Sequence, residues 1–240
     1  MGRGPNKMAF ASVSFVSVLA TLSPGLWALR SGVIVAALGL WFWTQWLIGR
    51  RAPVTADDGG VIADGLHQLT AGWHRRLRDN PRQADALLIA SSLVIDLLTL
   101  WLLASAVLGT TFRPFVGMIL LFASRQICQA FCPLPPPPGM IWRKPGFPSL
   151  LVTYGVTNDL FFSGHTAIAV FGAATLATAF GPVGLALGVT IVGFEVAAVL
   201  VLRAHYTMDV FTGAVTALWV YEVAGKIAPT LDVWLAGVVG

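Results

Sequence analysis

Residues 161–202 read FFSGHTAIAVFGAATLATAFGPVGLALGVTIVGFEVAAVLVL. The only Asp, Glu, Lys or Arg among them is Glu195, and Gly181-Pro182 divides the run in two. Each half is close to the roughly 20 apolar residues a helix needs to cross the hydrocarbon of a bilayer. Gly followed by Pro marks a tight turn, so the halves read as two spans, Phe161 to Phe180 and Val183 to Leu202. One span leaves His165 and the next brings the chain back to His205, which puts both imidazoles on the same side of a membrane.

The rest of the chain fits around this pair. Of its 240 residues 56% are hydrophobic and 11% charged, with a mean hydropathy of +0.77, against roughly 25% charged in soluble domains. Leu26–Ile48, Ala86–Leu108, Phe112–Phe131 and Val210–Ala228 are further runs of spanning length. The expected fold is all-α, a polytopic membrane bundle of about six transmembrane helices. Met8 to Leu22 adds an N-terminal apolar segment, broken by Ser23-Pro24-Gly25, that reads as a half-span or a membrane-surface helix. The chain then divides into an N-terminal segment (1–25), a first span with its connection (26–85), a catalytic core (86–228) and a tail (229–240).

Two connections carry pattern. Within 49–85, Ile62, Leu66, Leu69, Trp73 and Leu77 recur at spacings of three and four, while His74, Arg75, Arg76 and Arg78 group together. That is the pattern of a helix lying in the interface, or of one packed on the protein's own loops. The Pro-rich run from Pro133 to Gly139 forms an extended, stiff connector. The net charge of +4 comes with no nucleic-acid recognition motif, so anionic lipid headgroups are the expected partner of the basic residues. Cys128 and Cys132 lie one helical turn apart and read as buried small apolar residues, since that spacing suits neither a disulfide nor a zinc site.

The polar residues at the span ends form a kit for phosphate chemistry. His205 and Asp209 are four apart; with a helix that begins by residue 205 they share one face about one turn apart, and the carboxylate can accept the Nδ1 proton and leave Nε2 free. In Ser163-Gly164-His165-Thr166 the glycine allows close backbone approach, and amides at a helix start cradle phosphate oxygens. Arg125 lies six residues before the end of its span, about 9 Å along the axis at 1.5 Å per residue, and can reach the same layer. Arg203 adds a forked cation suited to phosphate. His165, His205 and Asp209 are the candidate catalytic residues. Arg125, Asp159, Ser163, Gly164, Thr166, Arg203 and Tyr206 are the candidate substrate-binding set. Asp96 and Glu195, each roughly 15 Å deep by helical rise, either line an acceptor cavity or hydrogen-bond between helices.

The pair Ser-Gly-His-Thr166 and His-Tyr-Thr-Met-Asp209 resembles the second and third signatures of the type 2 phosphatidic acid phosphatase superfamily. Asp159-Leu-Phe-Phe-Ser-Gly-His-Thr and His-Tyr-Thr-x-Asp-Val210 are similar, more narrowly, to the sphingomyelin synthase branch, as is a third span bearing Arg125 and running into Pro137-Pro138-Gly139. The resemblance covers about 86 to 228. It implies a six-span bundle and a metal-independent double displacement with no cofactor. His205 would become phosphohistidine, oriented by Asp209, while His165 protonates the leaving alcohol and then activates the acceptor. The implied substrates are membrane lipids, a phospholipid donor and a ceramide- or diacylglycerol-like acceptor. The Lys-x6-Arg-Pro signature of the phosphatases is missing, since Arg113-Pro114 has no such Lys, and Val199 stands where their third signature has arginine. Both departures favour the synthase-like branch over a typical phosphatase.

A lipid phosphatase or phospholipase C-type hydrolase using water is the alternative expectation, and a transporter built on Asp96, Glu195 and Arg125 a third. A homo-oligomer is compatible with the sequence. The charge distribution puts the site in the cytoplasm by the positive-inside bias, whereas the resemblance implies the exoplasmic or lumenal side.

Overall fold

A computed structural model describes residues 23–50, 62–152, 154 and 160–239. The apolar run 8–22 and Asp159 lie outside the described residues. Every regular element among them is a helix. These are α1 (Pro24–Gly49), α2 (Gly65–Leu69), α3 (Ala71–Asp79), α4 (Pro81–Leu108), α5 (Arg113–Phe131), α6 (Gly164–Val201) and α7 (Thr207–Val239).

Four of them, α1, α4, α5 and α6, are long and apolar enough to cross a bilayer, consistent with an integral membrane protein. The count differs from six for two reasons. The expected spans 161–180 and 183–202 fall within one helical element, α6, which leaves helical geometry at Gly181 (φ 60°, ψ −137°), a backbone region open to glycine. The two arms fold against each other, since a Cβ on Gly188 would stand 2.7 Å from the Ala173 Cα. In addition, α7 is not among the four. It also runs past the expected end at Ala228, through Pro229 to Val239.

Starts and stops follow local chemistry. Ser23 caps α1 by accepting the Leu26 N–H at 3.2 Å, with Pro24 at its first turn. Pro81 opens α4 and Pro114 lies in the first turn of α5. Leu98, Leu102, Phe115, Leu121, Phe171 and Val220 are buried in one apolar cluster that joins α4, α5, α6 and α7. One end of the bundle is closed by Arg30, 1% exposed, whose guanidinium donates to the Ala106 and Gly109 carbonyls and to Asp232 (3.2, 2.8 and 3.1 Å). Asp232 also accepts the Phe112 N–H at 2.8 Å, so this ion pair ties α1, α4, α5 and the extended end of α7 together.

The connection after α1 forms two short helices, and its apolar stripe faces outward. Leu69 and Trp73 are exposed (81% and 68%), while His67 and His74 are buried. Within the stripe Leu77 is half-buried and packs on the apolar cluster that holds Leu88 and Leu202. Cys128 and Cys132 are free thiols, one half-buried and the other exposed, so the expectation of two buried small residues fails for Cys132.

Candidate active site

The two signature segments meet at the ends of α6 and α7. Ser163 caps α6: its hydroxyl accepts the Thr166 N–H at 3.3 Å and pairs with the Thr166 hydroxyl at 3.0 Å. The Ser163 N–H donates in turn to the Asp209 carbonyl at 3.1 Å, which joins the two segments backbone to side-by-side backbone. Gly213 makes the approach possible, because a Cβ there would stand 2.7 Å from the Ser163 carbonyl oxygen.

At the start of α7, Asp209 reaches back and its Oδ2 accepts the Tyr206 N–H at 2.9 Å. The same oxygen lies 3.7 Å from His205 Nδ1, beyond hydrogen-bond range but within that of an ion pair. α7 begins only at Thr207, so His205 lies in the turn before it and the expected shared helix face does not form; the turn brings the ring toward Asp209, which is fully buried.

His165 and His205 line one small cavity, about 60 Å³, together with Arg125, Gly164, Trp142 and Ala204. The Trp142 ring stands edge-on to His165 at 5.4 Å. His165 is buried and its Nε2 has no hydrogen-bond partner among the described residues. Arg125 donates its Nε to the Phe162 carbonyl at 3.0 Å, and Gly164 admits it, since a Cβ there would lie 3.2 Å from that Nε. Three segments distant in sequence thus bring two imidazoles and a guanidinium to one place. A phosphoryl group, anionic and needing a nucleophile, a proton and a cation, is the chemistry such a set can serve.

The other expected residues stand around the cavity instead of in its wall. Ser163 and Thr166 are occupied in capping. Tyr206 is buried with its ring stacked on His67 at 5.8 Å; burial raises its phenol above the usual value, and the Asp209 and Asp64 carboxylates push the same way. Arg203, with φ 53°, donates to the Pro138 carbonyl at 2.8 Å, which ties the Pro-rich connector to the turn before α7. Asp96 accepts the Leu150 and Leu151 N–H groups at 2.7 and 3.1 Å, and so anchors an irregular loop. Glu195 accepts the Ser91 hydroxyl at 2.7 Å across α6 and α4. Among the described residues no group of three His, Cys, Asp or Glu side chains gathers as a cation site.

A clamp that the sequence motifs did not reveal holds the turn 205–207. Asp64 caps α2 by accepting the His67 N–H at 3.1 Å, and also accepts the Thr207 N–H (2.6 Å) and hydroxyl (2.7 Å). Burial works to raise its pKa, but the bonds from Thr207 and His67 outweigh that and hold the carboxyl below its ordinary value. His67 Nε2 lies 2.9 Å from the His205 carbonyl and His74 Nδ1 2.9 Å from the Val201 carbonyl. The signal was available: Asp64 stands three residues before His67, the spacing of an N-cap.

A family model described as AtPDCT1/2 matches residues 63–226, a stretch that begins beside Asp64 and includes both signature segments. No curated protein and no solved structure matches the chain. The matched stretch covers most of the sequence and all the cavity-lining residues except Trp41, so the chain belongs to the AtPDCT1/2 family, a lipid phosphotransferase family of phosphatidylcholine:diacylglycerol cholinephosphotransferases.

Proposed function

We propose that this protein moves phosphocholine from phosphatidylcholine to a diacylglycerol through a phosphohistidine at His205. The observation that carries the reading is the meeting of His165, His205 and Arg125 around one small cavity. Family membership supplies the substrate class, and the resemblance to the sphingomyelin synthase branch of the type 2 phosphatidic acid phosphatase superfamily supports the double displacement.

In the first half, His205 Nε2 attacks phosphorus. The bond from phosphorus to the glycerol oxygen breaks, its electron pair stays on that oxygen, and protonated His165 delivers the proton that completes diacylglycerol. In the second half, His165 takes the hydroxyl proton of the incoming diacylglycerol, whose oxygen attacks phosphorus as the phosphorus–nitrogen bond breaks and frees His205. Asp209, 3.7 Å from His205 Nδ1, closes to accept a hydrogen bond from the Nδ1–H and fix the ring; such contacts commonly tighten when substrate binds. Arg125 balances charge on the phosphoryl oxygens.

The test uses purified protein in proteoliposomes with phosphatidylcholine labelled in its choline, offered diacylglycerol, ceramide or no acceptor. Label on new phosphatidylcholine, and an acid-labile labelled protein adduct that His205→Ala lacks, are the expected results. Label on ceramide would move the chain to the sphingolipid reaction, and free phosphocholine to hydrolysis. His165→Ala should lower turnover by about 10²–10⁴-fold, as loss of a general acid–base does. An adduct that persists in His205→Ala would end the phosphohistidine reading.

A further inference from the structure

A second cavity, about 330 Å³, lies between α1, α4 and α5. It shares Trp41, Phe122 and Leu151 with the small site cavity. Its wall is apolar, with Leu103, Phe115 and Met118 inside, and Leu40 and Ile119 at its edge are exposed (59% and 40%). It therefore opens on the outer apolar face of the bundle while sharing a wall with the cavity that the two histidines line. Its volume is at the low end of the range of about 300–1,000 Å³ for ligand pockets, whereas the site cavity falls well below it.

Two polar groups in this wall have no partner among the described residues. The Trp41 indole N–H is buried without an acceptor, on a ring that borders both cavities, and the Thr99 hydroxyl is buried and unbonded. Helical threonines elsewhere in the chain, Thr44, Thr175 and Thr190, donate to the carbonyl four residues back. Thr99 does not. An apolar chamber with an unused donor at the mouth of a phosphoryl site suits a chain joined to an ester.

Resting on the reading above, we propose that this cavity holds an acyl chain of the diacylglycerol, with the Trp41 N–H donated to an ester carbonyl of the lipid. A chain entering from the bilayer leaves surroundings as apolar as the cavity, so its length contributes little to affinity. The cavity positions the glycerol oxygen, and the ester bond selects the acceptor.

The test pairs Trp41→Phe, which keeps a ring against Phe122 (5.1 Å in the native pair), with an acceptor lacking ester carbonyls, a 1,2-dialkylglycerol. One neutral hydrogen bond corresponds to about fivefold. Trp41→Phe should lower kcat/KM for diacylglycerol about fivefold and leave the dialkylglycerol value, already lower, where it is; this non-additivity marks a direct contact. Equal losses on both acceptors, or none on the ester, overturn the proposal. A binding arm separates this idea from the proposed activity: diacylglycerol carrying a terminal diazirine is photolysed with wild-type and His205→Ala protein. Adducts on Leu103, Met118 or Ile119 are expected in both, whether or not transfer occurs. Adducts confined to other sites, or none, refute the acyl site even if phosphocholine is transferred.

Discussion

Asp64→Ala should release the start of α7 without unfolding the bundle. The carboxylate holds Thr207 by two short bonds and caps α2 through His67. Hydrogen bonds to a charged group contribute about 1.5–3 kcal/mol each, and a lost cap about 1 kcal/mol. Asp64 is half-buried, so solvent replaces part of what is removed, and about 2 kcal/mol is the expected net loss. That is roughly a 30-fold rise in the open population of the 64–79 segment and the 205–207 turn, within the range of local opening. Amide hydrogen exchange at Thr207 in detergent or nanodiscs reads it directly, and the protection of core amides in α4 and α5 should hold. Transfer should fall because His205 is no longer held against His165. The same carboxyl gives a pH signature. Its folded pKa is lowered, so the stabilisation is complete above the unfolded value near 3.9 and is lost as pH falls through the folded value. Unchanged exchange at Thr207 in Asp64→Ala would refute this account of the clamp.

Gly213→Ala should push α7 from the Ser163 carbonyl, 2.7 Å from the new Cβ, and cost about 1–3 kcal/mol as overpacking does, read as a lower midpoint in thermal unfolding and weaker transfer. His74 should weaken the docking of α3 on acidification. Burial lowers its pKa, against the pull of the Val201 carbonyl, and the Arg203 and Arg78 charges lower it further; the unfolded ring therefore takes its proton first, and stability declines from about pH 6.5 downward until the folded ring titrates. Limited proteolysis of the 62–80 segment between pH 7.5 and 5 checks this, with His74→Asn removing the dependence.

The sequence made the meeting of His165 and His205 readable because two apolar runs of spanning length joined by Gly181-Pro182 leave little choice of side. Arg125 was readable for the same reason, its depth following from helical rise. Not readable were the backbone partners of the charges: Arg203 donates one N–H to Pro138, and Asp96 accepts from Leu150 and Leu151. Loops such as 141–152 have no periodicity from which their path can be read. The amphipathic stripe Leu66, Leu69, Trp73 identified a helical stretch but not which face would meet protein. The answer was the histidine face, because buried backbone carbonyls at a helix end need donors more than the bundle needs additional apolar cover.

The contacts of His67 and His74 also settle where their protons reside. A carbonyl oxygen can only accept, so His67 carries hydrogen on Nε2 and His74 on Nδ1. Two imidazoles in one short segment are thereby locked as opposite tautomers. Side-chain amides imitate them unequally: glutamine reproduces the long reach of an Nε2 donor at His67, asparagine the short reach of an Nδ1 donor at His74, and exchanging the two amides would leave both carbonyls unserved.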